Sequence, residues 1–151
     1  MVLGMHDALV EITGIIAGLA FTMESSRLIV MTGIIAAVAA SLSMAAANYM
    51  AQRTDNNPEA LRCACYTGAM YLCTSAAIIA PFCIIRNHFA ALATTAAIAV
   101  LVILIFNIYA TCGSKRTYWK RTSEMLVVCM AVSIVSFLIG QAAKYLLGVQ
   151  I

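Results

Sequence analysis

Five apolar stretches, separated by short polar interruptions, take up almost all of this chain. Each is close to the roughly 20 residues that an α-helix needs to cross the hydrocarbon core of a bilayer. Backbone groups in lipid must satisfy one another, so apolar stretches of this length become helices there. Hydrophobic residues make up 64% of the sequence and charged residues 10%, against roughly 45–50% and about 25% in soluble domains. The expected fold is therefore all-α: one polytopic transmembrane domain over residues 1–151, with helices at about 5–22, 28–51, 60–85, 89–111 and 123–147. No separate extramembrane domain fits beside them. The first apolar stretch lacks a basic lead and carries acids, so it is not expected to be a cleaved signal peptide.

The interruptions are short. Glu24 and Arg27 flank the first turn and are placed to pair across it. The polar stretch Gln52 to Glu59 forms a loop, with Pro58 suited to the first turn of the next helix. Pro81 is expected to kink or end the third helix. Arg86, Asn87 and His88 form a tight turn, and residues 112–122 form a basic loop carrying Lys115, Arg116, Lys120 and Arg121. With five spans, that loop, the N-terminus, Arg53 and Arg62 share one side, whereas Arg27, Arg86 and Lys144 lie on the other. The excess of Lys and Arg predicts a cytoplasmic N-terminus.

The first apolar stretch contains an anomaly. Asp7, Glu11, Gly14 and Gly18 fall at i, i+4, i+7 and i+11, which places them on one helix face. Carboxylates inside a membrane segment are costly and commonly mark an ion or proton path. Glycines spaced by four let another helix approach closely. Asp7 lies near the cytoplasmic mouth and Glu11 one turn, roughly 6 Å, deeper. The second helix repeats the spacing with Ala37, Ser41, Met44 and Asn48. A short turn makes the first two helices antiparallel neighbours, so Met44 and Asn48 reach the depth of Asp7 and Glu11.

Those four residues form the candidate metal site. Carboxylates bind both divalent cations and protons, and removal from bulk water favours their neutral form, so one can exchange for the other. A thioether favours transition metals over Mg²⁺ or Ca²⁺. Taken singly, Met44 reads as packing and Asn48 as an interhelical hydrogen-bonding group, and a helix N-terminus by itself favours Asp7. Glu11, a turn deeper, is harder to account for in that way. His6 sits within reach of interfacial water and is not counted as a ligand.

The six cysteines include no Cys-x-x-Cys pair and read as small apolar fillers. No nucleophile–base pair or cofactor motif suggests an enzyme. No basic run interleaved with aromatics suggests nucleic acid.

The sequence resembles the vacuolar iron transporter family, specifically its small prokaryotic members. The resemblance is carried in order by His6-Asp7-Ala8-Leu9-Val10-Glu11, Thr13-Gly14, Ala17-Gly18-Leu19, Ser43-Met44-Ala45, Asn57-Pro58, Tyr66-Thr67-Gly68, Pro81-Phe82, Phe106-Asn107-x-Tyr109 and Glu124-Met125. It implies a five-helix multi-pass protein of the prokaryotic cell membrane. It implies a homodimer with a path between subunits lined by the first helix, and export of Fe²⁺, often also Mn²⁺, in exchange for protons, with no permanently bound cofactor. Asp7 and Met44 match the family's pathway residues, and Glu11 matches an acid of the prokaryotic branch. Gly14 and Gly18 then become the expected contact between two copies of the first helix. Asn48 stands where relatives carry an acid, and the loop from Gln52 to Glu59 replaces a metal-collecting domain found in plant and fungal relatives. A non-transporting metal sensor, anchor or assembly protein of the same fold is the alternative, and a passive channel or organic-solute carrier a third.

Overall fold

The computed structural model describes residues 2–22, 25–85, 87–111 and 115–147. It contains five helices: α1 (Val2–Thr22), α2 (Ser26–Thr54), α3 (Ala60–Ile84), α4 (His88–Thr111) and α5 (Lys115–Leu147). All five are long and apolar enough to cross a membrane. Glu24 and Arg86, and with them the expected Glu24–Arg27 pair, lie outside the described residues.

The boundaries moved where local chemistry outweighed polarity. α5 begins at Lys115, within the expected loop. Its first turns hold neither glycine nor proline, and Lys120 pairs with Glu124 one turn on, at 4.0 Å. At 33 residues, α5 is about 50 Å long and outreaches a hydrocarbon core of about 30 Å. Pro58 precedes α3 rather than opening it. The loop before it turns through Asn56, whose φ of 54° is left-handed, a conformation that asparagine tolerates. Asn57 then ties the loop, donating to the Gln52 side chain at 2.7 Å and accepting from the Glu59 N–H at 2.9 Å. α3 runs on through Pro81 and stops at Ile84.

α1 touches each of the other four helices, and α2 lies mainly along α3. The core follows from that placement. Leu9, Ile12 and Ile16 of α1 meet Ile29 of α2, Tyr71 and Ile78 of α3, and Ile103 of α4, all essentially inaccessible. α5 gives one narrow face to the interior and leaves Val127, Met130, Ile134 and Leu138 exposed, as expected of a helix bathed in lipid. Two buried hydrogen bonds tie neighbours together. Thr95 donates to the Ile78 carbonyl at 3.1 Å, joining α4 to α3. Asn107 Nδ2 donates to Thr122 Oγ1 at 3.1 Å, joining α4 to α5. In an apolar interior such pairs fix which helix faces which, because an unanswered polar group there is costly.

Candidate metal pathway on the first helix

The acidic face forms because α1 is regular from Val2 to Thr22, which stacks Asp7 and Glu11 one turn apart. Both side chains are half-buried and interact electrostatically. The ion pairs among the described residues, Glu59–Arg62 and Lys120–Glu124, are exposed and elsewhere. No lysine or arginine among the described residues neutralises either Asp7 or Glu11.

Glu11 has instead a neutral partner. The Tyr71 hydroxyl, from α3, donates to Glu11 Oε2 at 2.7 Å. Tyr71 is 0% exposed, and its charge interactions include Asp7 as well as Glu11. Asp7, Glu11 and Tyr71 are thus the group that the fold brings together. Sequence reading passed over Tyr71, although a signal was present. Tyrosines in membrane proteins collect at the two interfaces, and the other five lie nearer the helix ends, whereas Tyr71 is near the middle of α3. A phenol at that depth needs a hydrogen-bond partner.

The remaining expected residues have surroundings of their own. Met44 is half-buried and packs against the apolar core. Asn48 Oδ1 is buried without a hydrogen-bond partner, and no hydrogen bond among the described residues links Asn48 to either carboxylate. Thr13 Oγ1, deeper on α1, is buried and unanswered in the same way. The His6 ring packs edge-on against Phe106 of α4, with centroids 5.2 Å apart. Among the described residues, no three His, Cys, Asp or Glu side chains gather to hold a metal.

The glycine half of the face does make a close helix contact, but with α5 of the same chain rather than with a second copy of α1. A Cβ on Gly14 would lie 2.9 Å from Val132 Cγ1, and one on Gly18 would lie 3.1 Å from the Ser136 carbonyl oxygen. α1 and α5 run parallel, so the two glycines, one turn apart, meet two α5 residues also one turn apart. α5 occupies the surface that the family resemblance gave to a second copy.

What this arrangement can do is limited by its charge. Two neighbouring carboxylates out of bulk water, with one phenolic donor, can hold protons or a cation. They cannot both remain bare at low cost.

Comparison with curated proteins and with solved structures gave no match. Residues 1–59, which carry α1, α2 and the loop after it, match the model of the VIT family, so the first two helices of this chain are similar to those of that family.

Proposed function

We propose that the protein carries divalent transition-metal ions, Fe²⁺ and also Mn²⁺, out of the cytoplasm in exchange for protons. The observation that carries this reading is the pair Asp7 and Glu11, one turn apart inside a membrane helix and without a cationic partner among the described residues. Such a pair is least costly when a divalent cation or protons complete it, and alternation between those two states is metal–proton exchange. The family match over residues 1–59 supports metal transport independently.

In this reading Asp7 receives the ion near the cytoplasmic mouth and Glu11 takes it one turn deeper. Met44 contributes a soft ligand, and Asn48 a neutral oxygen that the folded chain leaves unanswered. The protein acts as a homodimer. Because α5 fills the glycine face, the second copy reaches α1 along the strip of Leu3, Val10 and Ala17, which is exposed at Leu3 and half-buried beyond it. Asp7 adjoins that strip, one turn from both Leu3 and Val10, so a path between subunits would begin beside it. The basic side, with Arg53, Arg62 and Lys120, faces the cytoplasm of a prokaryotic cell.

Proteoliposomes loaded with protein and given a pH gradient test the reading. Saturable Fe²⁺ and Mn²⁺ flux is expected, and the double variant Asp7→Asn/Glu11→Gln is expected to fall to the level of empty vesicles. Robust flux through that variant would overturn the mechanism. Met44→Leu is expected to keep flux but to narrow the preference for Fe²⁺ over Mg²⁺, because sulfur is the ligand that separates them. Tight metal binding without flux would instead favour a sensor or anchor, the reading to which Asn48, in place of an acid, lends weight.

A further inference from the structure

We propose that Tyr71 is the positioning residue of the metal path: it holds the Glu11 carboxylate while no cation is bound, and a cation must take the carboxylate from it. The inference rests on the divalent-metal reading of Asp7 and Glu11 and assigns a role to a residue outside the ligand set.

The hydrogen bond from the Tyr71 hydroxyl to Glu11 Oε2, at 2.7 Å, is of the short, charge-assisted kind. Its two ends differ in freedom. The Tyr71 ring lies in the core cluster with Leu9, Ile12 and Ile78 and is fully buried. Its backbone carbonyl receives the Ser75 hydroxyl at 2.8 Å, on a part of α3 held against α2 by the close approach of Gly68 to Ala45 and Ser41. Glu11 is half-buried and has rotatable bonds that tyrosine lacks. The carboxylate is therefore the part that moves.

When it swings to a cation, the phenol, fully buried in the core, loses its acceptor. That loss is subtracted from the affinity of the cation, because a buried donor left unsatisfied costs its full desolvation. The same loss applies to every divalent ion, since it falls on the phenol and not on the metal. Met44 acts on which ion is preferred, and Tyr71 acts on how tightly any ion is held. A transporter gains from such an opponent: two bare carboxylates would bind well and release slowly.

The test is Mn²⁺ binding to the purified protein, together with Mn²⁺ flux in proteoliposomes, for the wild type and Tyr71→Phe. The variant is expected to bind Mn²⁺ about tenfold more tightly. Its KM should fall by a similar factor, and its maximal flux should fall as release slows. Fe²⁺ should shift by the same factor. In a Glu11→Gln background Tyr71→Phe should leave Mn²⁺ affinity unchanged. A purely structural role would lower maximal flux at constant KM, and that result overturns the inference. Weaker Mn²⁺ binding by Tyr71→Phe also overturns it, because the phenol would then be aiding the cation. Wild-type constants in Tyr71→Phe, beside an active wild type, overturn the inference and leave the transport reading standing. A wild type that neither binds nor carries Mn²⁺ overturns both. Should Tyr71→Phe fail to fold, infrared difference spectra of the wild type decide. Mn²⁺ must shift a tyrosine C–O band, and an unmoved band overturns the inference.

Discussion

Tyr71→Phe is expected to reverse the sign of its effect on stability according to what stands at position 11. In the wild type it removes the hydrogen bond that Glu11 accepts from Tyr71 and destabilises the protein. In a chain already carrying Glu11→Leu it is expected to stabilise by about 1–3 kcal/mol, the cost of a buried donor with no acceptor. The reasoning is that Glu11→Leu strands the Tyr71 hydroxyl in a core where the residue is 0% exposed, and phenylalanine removes the stranded group while keeping the ring. Replacing both members of a buried polar pair by apolar groups is commonly neutral or better. Thermal unfolding of the four proteins in one detergent measures this directly. Glu11→Leu/Tyr71→Phe should also be inactive in metal flux, which would make it a well-folded, metal-blind control. A double variant less stable than Glu11→Leu alone would show that the hydroxyl has another acceptor.

The second large effect is expected at Gly4. A Cβ built there falls on the carbonyl oxygen of Thr67. That atom is backbone within α3 and cannot rotate away, so Gly4→Ala must push α1 off α3. Overpacking of this kind costs about 1–3 kcal/mol. The Glu11–Tyr71 hydrogen bond lies on the same α1–α3 seam, so metal flux should fall with stability. Gly33→Ala is the matched control. Its Cβ would meet the end of the Ile79 side chain, Cδ1, at 3.3 Å, which a small rotation relieves. Alanine also gains up to about 1 kcal/mol of helix propensity over glycine. Unfolding temperatures should drop clearly for Gly4→Ala and stay near the wild type for Gly33→Ala. Equal losses would mean that the α1–α3 approach is no tighter than the α2–α3 one.

How far the sequence reveals this molecule depends on whether a feature is local. Five helices follow from five apolar runs, because run length against bilayer thickness is a one-dimensional test. The acidic face of α1 follows from helical periodicity alone. Helix ends are less legible: residues 115–122 are polar enough to read as loop, yet they contain no helix breaker and continue α5. Partners across the fold are least legible. Gly14 and Gly18 announce a close approach but not which helix makes it, and α5, distant in sequence and parallel to α1, supplies the surface. Tyr71 finds Glu11 through the rotation of α3 about its own axis, which no spacing within either helix records. Depth alone brings Met44 and Asn48 to the level of the acids. Depth sets height in the membrane and leaves direction free, and the structure puts Met44 against the apolar core.

The contact of Gly14 and Gly18 with Val132 and Ser136 has a mechanical consequence. Backbones this close cannot slide past one another without a clash, so α1 and α5 behave as one stiff beam. α2 and α3, joined along most of their length and by the approach of Gly68 to Ser41 and Ala45, form a second. Gly4 against the Thr67 carbonyl sets α1 on α3 just as closely, so the two beams can pivot about that contact but not slide along it. The Tyr71–Glu11 hydrogen bond ties the two beams on that same seam, so in the proposed exchange a cation that draws Glu11 away would remove one tie between them.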